Sequence, residues 1–165
     1  MASYNEFFEI KVEGTKETIK SICEAVRDYA PNADIKSSKK KVVIYDMCKI
    51  ADEDDAREFA QMLAKASNGA CFRAEGRTEC SVAGDIMNFE INFKDGKLTL
   101  RHSTWYYETW AGITEGFDTY EEFAECNDEY TEEVFEMLQE NEFIFEVNGE
   151  YCTEVPYIAE LELEY

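Results

Sequence analysis

The chain has no Lys or Arg after Arg101, although residues 102–165 make up more than a third of it. It has a single histidine, His102, two prolines, and no pair of cysteines spaced Cys-x-x-Cys. Each absence removes a class of function. One histidine excludes two-histidine phosphoesterase chemistry. A catalytic triad needs a positioned nucleophile and acid beside the imidazole, and no Ser or Cys lies in a recognisable nucleophile turn. His102 is therefore expected to be a structural or surface residue rather than a general base. Unpaired cysteines argue against structural zinc. The acidic cluster Asp52–Asp55 lacks the spaced Asp-x-Asp-x-Asp-Gly pattern and later Glu of a calcium loop, and the loop holding Gly112 and Gly116 has no phosphate-binding lysine. No metal and no cofactor is expected. No run approaches the ~18 apolar residues of a membrane span, and Met1–Val12 lacks a basic segment followed by an apolar one. The expected location is the cytoplasm, with no membrane partner. There the six cysteines (Cys23, Cys48, Cys71, Cys80, Cys126, Cys152) should remain free thiols acting as small apolar residues.

What is present is a core. Of 165 residues, 45% are hydrophobic, and 11 Phe and 10 Tyr supply large areas to bury. Phe7, Phe8, Ile10 and Val12 predict a strand ending at Gly14. Thr15 stands at an N-cap position before Ile19, Ile22, Cys23 and Val26, which recur at helical spacing over residues 15–29. Pro31 and Asn32 close that helix. The polar stretch Lys39–Lys41 leads into a short buried strand, Val42–Tyr45. Asp52–Asp55 are predicted to cap a helix whose apolar face is Ala56, Phe59, Ala60, Leu63 and Ala64, ending at Asn68-Gly69. Residues 70–82 form a further candidate strand. Met87, Phe89, Ile91 and Phe93 alternate with polar residues up to Asp95-Gly96, and the chain returns from Lys97 to Tyr107, which reads as a tight hairpin.

Beyond a loop at 111–117, residues 118–141 are predicted helical in one or two pieces, with Tyr130, Val134, Met137 and Leu138 as the stripe. Phe143, Phe145 and Val147 begin a strand, Asn148-Gly149 marks a turn, and Tyr151–Val155 returns. After Pro156 a last strand runs from Tyr157 to Tyr165. The expected fold class is α+β: a ferredoxin-like βαβαββ plait extended by an acidic helix and C-terminal β-strands. The expected division is a core at 1–110 and an acidic extension at 111–165, packed on the same domain.

Charge is the most unusual property. The chain holds 16 basic and 37 acidic residues, a net −21. Residues 1–50 carry 9 basic and 8 acidic residues, residues 51–100 carry 6 and 10, and residues 101–165 carry 1 and 19. Solubility of a small domain needs a net charge of only ~2–8. Self-repulsion on the scale of the last third opposes compaction, so a recognition role is the more economical reading. Glu129, Glu132, Glu133, Glu136 and Glu140 lie along the predicted helix, several of them three or four apart. Glu160, Glu162 and Glu164 alternate along the last strand, about 6.6–6.8 Å apart given the strand rise. Such rows present a field comparable to that of a phosphate backbone. Trp105, Tyr107 and Trp110, in the densest aromatic cluster, are candidate contact residues beside them.

In composition the lysine-free acidic stretch 118–164 resembles the nucleic-acid mimics that mobile elements deploy against host defence, the anti-CRISPR and antirestriction proteins. The resemblance implies an inhibitor that occupies the nucleic-acid-binding surface of a basic partner, such as a defence nuclease or its complex. Such inhibitors share no single fold, so no residue role carries over. Acidic immunity proteins that neutralise nuclease toxins have the same look. Alternatively, the carboxylates could serve a carboxylate- or metal-dependent enzyme. Direct nucleic-acid binding is disfavoured by the net charge.

Overall fold

The computed structural model describes residues 4–80, 85–106, 109–141, 143–147, 150–153 and 159–165. In chain order the elements begin with β1 (Tyr4–Glu13), α1 (Lys16–Tyr29), β2 (Asp34–Ser37), β3 (Lys41–Tyr45), α2 (Glu53–Ala66), β4 (Cys71–Cys80), β5 (Asp85–Lys94) and β6 (Lys97–Tyr106). They continue with β7 (Thr109–Trp110), a 3-10 turn at Ala111–Thr114, α3 (Tyr120–Cys126), α4 (Glu132–Glu140), β8 (Phe143–Val147), β9 (Glu150–Cys152) and β10 (Ala159–Leu163). The fold is mixed α+β.

Local chemistry places most of these boundaries. Thr15 caps α1 through a reciprocal pair with Thr18, satisfying two backbone donors that the first turn would leave open. Asp52 caps α2, its Oδ1 accepting from the Asp55 amide at 2.9 Å, and Asp55 accepts from the Ala51 amide. The acidic cluster at 52–55 thus caps a helix, as its position predicts. Asp95 and Gly96 both hold positive φ, +53° and +76°, the geometry that a two-residue hairpin between β5 and β6 requires.

Contacts divide the chain into two compact units. The first is residues 1–105 with 157–165; the second is residues 106–156. Unit 1 holds a seven-stranded sheet in the order β10-β6-β5-β4-β1-β3-β2. The registered pairs are antiparallel, including Phe8 opposite Ile44 and Gly76, and Ala159 opposite His102. β1 and β2 are separated by one intervening strand, and so are β3 and β4, each pair being bridged by a helix. Strand alternation sends Phe8, Ile10, Val42, Ile44, Phe89, Ile91, Leu98 and Leu100 to one face. The apolar stripes of α1 and α2 join them in one continuous core. The other face carries the charged and polar residues of the same strands.

Gly76 shows how tightly this core closes. A Cβ there would overlap the Phe8 ring and meet Phe89 at 3.0 Å, so the middle of β4 has room only for glycine.

One strand adds to the sequence reading: β2 lies in a stretch, between Asn32 and Lys39, to which the sequence reading assigned no element. It is four residues long, and only Ile35 is part-buried, so no alternation marks it. It closes against β3 through a turn in which the Ser38 amide donates to the Lys41 carbonyl at 2.9 Å. The stretch 118–141, predicted helical in one or two pieces, forms two helices, each started by a threonine cap, Thr119 and Thr131. The turn predicted at Asn148-Gly149 lies outside the described residues.

Unit 2 holds a second sheet, β7-β8-β9, with antiparallel pairing. Its core is Phe123, Val134, Phe135, Leu138 and Ile144, with Phe117, Tyr120, Tyr130 and Tyr151 among the residues packed around it.

Candidate functional site

The acidic helices are anchored by rings. Phe123, fully buried on α3, lies 5.0 Å from the Phe135 ring of α4, 5.7 Å from Phe117 and 6.0 Å from Tyr130. The Tyr120 hydroxyl donates to the Tyr130 carbonyl at 2.9 Å, tying α3 to the turn before α4. With one face of each helix buried, the acids are forced outward. Glu129, Glu132, Glu133, Glu136 and Glu140 are all exposed, as are Glu121, Glu122, Glu125 and Asp128. Unit 2 contains sixteen Asp and Glu and no Lys or Arg. Among the described residues none of its acids forms a salt bridge. Glu121, Glu122, Glu132 and Glu133 sit in first helical turns, where the helix dipole favours them. Glu136 and Glu140 have no such compensation.

The second predicted row, Glu160, Glu162 and Glu164, is exposed at one edge of the large sheet and belongs to unit 1. It is partly countered. Glu162 lies 3.7 Å from Lys97, and Glu160 stands opposite Arg101 in register. The chain behind it is fixed by the Gln61 amide donating to the Glu164 carbonyl at 2.8 Å, and by the Tyr165 hydroxyl on the Gly96 carbonyl at 3.0 Å. The two predicted rows are thus carried by different units. Trp105 is the penultimate residue of β6 and belongs to unit 1, and Trp110 lies in β7 of unit 2; their side chains and the whole of Tyr107 lie outside the described residues.

The open face of the large sheet carries a network that no sequence motif announces. Glu90 is 5% exposed, yet its Oε2 accepts from Arg101 at 2.6 Å and from Arg73 at 3.1 Å, and its Oε1 accepts from Asn92 at 2.6 Å. Burial alone raises its pKa, but the Asn92 and Arg101 hydrogen bonds and the two guanidinium charges together hold it below the ordinary carboxylate value. Near the other edge, Phe7 of β1 and Tyr45 of β3 stand side by side on this face. Their ring centroids are 5.4 Å apart, and they are 40% and 36% exposed.

His102 points into the core side of β6 and is 6% exposed. Its Nε2 lies 2.8 Å from Glu53 Oε2 at the start of α2, while its Nδ1 has no partner among the described residues. The neighbouring Ser103 alternates to the opposite face and cannot share a reacting centre with it. Among the described residues no three His, Cys, Asp or Glu side chains cluster to hold a metal ion. Cys23, Cys48, Cys71, Cys126 and Cys152 are free thiols. Burial, reinforced by Glu150, pushes the Cys152 thiol up, away from the reactive thiolate. No described helix is long and apolar enough to cross a membrane. Comparison of the chain with protein-family models, with curated proteins and with solved structures finds no match.

Proposed function

We propose that unit 2 is an acidic docking module that occupies the nucleic-acid-binding surface of a basic protein partner, in the manner of anti-CRISPR inhibitors, and that the protein is not an enzyme. One observation carries this reading: a unit of 51 residues with sixteen acids and no cation, nine of whose acids lie exposed in the segment of two capped helices held on an aromatic core. A disordered acidic tail would serve solubility as well. Fixing the charges on rigid elements adds geometry, which solubility does not require and recognition does. The carboxylates would speed encounter and set salt sensitivity, and apolar contacts would hold the complex. The element order of unit 1, with β4-β1-β3-β2 at one end of its sheet and α1 and α2 on one face, supports reading it as a ferredoxin-like plait extended by β5, β6 and β10. On this reading the plait is the scaffold and unit 2 the effector.

The test is capture from bacterial lysate with the wild type and with a variant carrying Gln at positions 129, 132, 133, 136 and 140, at low and high salt. The expected result is a basic nucleic-acid-handling protein held by the wild type only, released by salt, and unable to bind its nucleic acid while held. Recovery of the same proteins by both baits would refute the reading.

A further inference from the structure

The open face of unit 1 combines flat exposed rings with a concentration of cations that the net charge conceals. Phe7 and Tyr45 are paired across β1 and β3, and Lys36 of β2 places its Nζ 5.8 Å from the Tyr45 centroid. Four residues further along the same two strands, Lys11 and Lys41 are paired in the same register. Since i and i+4 share a face of a strand, rings and lysines lie on one surface about 13 Å apart. The lysines open into a groove of about 680 Å³ lined by Lys11, Lys40, Lys41, Arg73 and Lys94, with Glu13 the only acid among its described lining residues and Phe72 and Phe93 among its apolar lining. Lys40 and Lys94 form no ion pair among the described residues.

We propose that this face binds a short single strand of nucleic acid, with bases stacked on Phe7 and Tyr45 and the backbone led into the Lys11–Lys41–Lys94 groove. Exposed aromatics on neighbouring strands form a platform for unstacked bases, and a cationic groove tracks the phosphates. The 13 Å between rings and lysines matches up to about four nucleotides at a stacked rise of ~3.4 Å. An acidic peptide could use the lysines, but its carboxylates gain nothing from two rings held side by side. A duplex cannot offer its base faces to them. Glu9 lies 3.8 Å from Lys11 and 3.3 Å from Lys41, and Glu75 lies 2.6 Å from Arg73, so phosphate must displace both acids. That makes binding modest in strength and steeply salt-dependent. The chain's net charge opposes the approach of a phosphate, while the five cations that line this groove against Glu13 favour it locally. The site is independent of the docking role proposed for unit 2.

The experiment is fluorescence anisotropy of labelled dT and rU octanucleotides with the full chain at 50 mM salt, with a duplex and poly-glutamate as competitors. The wild type is expected to bind the single strands, and neither competitor is expected to displace them at equal charge concentration. Stacking contributions predict that Phe7→Ala and Tyr45→Ala each weaken binding about 5- to 150-fold. Tyr45→Phe, which keeps the ring, should bind as the wild type. Lys41→Gln should make the salt dependence shallower by about 0.7 in log–log slope, one phosphate contact on a single strand. Circular dichroism checks that each variant is folded. No binding at 50 mM salt, unchanged affinity in the folded Phe7→Ala and Tyr45→Ala variants, or displacement by poly-glutamate would each overturn the proposal.

Discussion

Replacing Glu90 by glutamine tests whether a nearly buried carboxylate clasps the open face of the large sheet. The side chain accepts three hydrogen bonds, at 2.6 Å from Asn92, 2.6 Å from Arg101 and 3.1 Å from Arg73. Glutamine keeps one acceptor oxygen but turns an NH2 group toward a neighbouring donor. Removing one partner of a fully buried pair costs about 3–5 kcal/mol. Here the Arg73 and Arg101 side chains are 53% and 38% exposed, so both guanidiniums can recover water. The expected loss is therefore about 1–3 kcal/mol at pH 7. The sign with pH follows from the lowered pKa. The folded state holds the carboxylate more readily ionised than the unfolded chain does, so the stabilisation is fully present above the ordinary value of 4.5. It is lost as pH falls through the lower folded value. The gap between wild type and Glu90→Gln should thus be widest near neutrality and shrink below 4.5. Urea titration followed on NMR resonances of β5 reports on unit 1 alone. A loss below about 0.5 kcal/mol, or a gap that does not narrow in acid, would show that the network is ornamental.

Two further outcomes follow from the packing and the charge. Gly76→Ala forces a methyl into the Phe8 ring, so urea unfolding should show unit 1 weakened by at least ~1–3 kcal/mol, the usual range for overpacking. Glu136→Gln with Glu140→Gln removes like-charge pairs along α4 and an acid from its last turn, so unit 2 should gain about 1 kcal/mol in low salt and less in high salt, read by thermal melting.

Legibility in the sequence tracked how local the cause was. The cap at Thr15, the acids capping α2 and the Asp95-Gly96 hairpin depend on residues within a few positions of one another, and all can be read from them. The outward acids of α4 could be read too, because Val134 and Leu138 declare its buried side. β2 could not, since an edge strand with one part-buried residue leaves no pattern. Neither could the Glu90 network nor the Phe7–Tyr45 pair. Phe7 and Phe8 are adjacent and chemically alike, and only the register across β1 and β3 sends one ring to solvent and the other to the core. The cations of the groove are scattered from Lys11 to Lys94, so counting by thirds hides their convergence.

The pairing of Ala159 with His102 makes unit 2 an insertion between β6 and β10, two strands that lie side by side in the large sheet. Closing so long a loop as flexible chain rather than as a five-residue turn costs about 2 kcal/mol of entropy. A folded unit 2 has already surrendered that freedom. Docking of β10 onto β6 is then tighter when unit 2 is folded, and melting unit 2 loosens the sheet edge through chain connectivity alone. A partner that stabilises the acidic helices would protect the amides of β10 from hydrogen exchange, at a strand it need never touch.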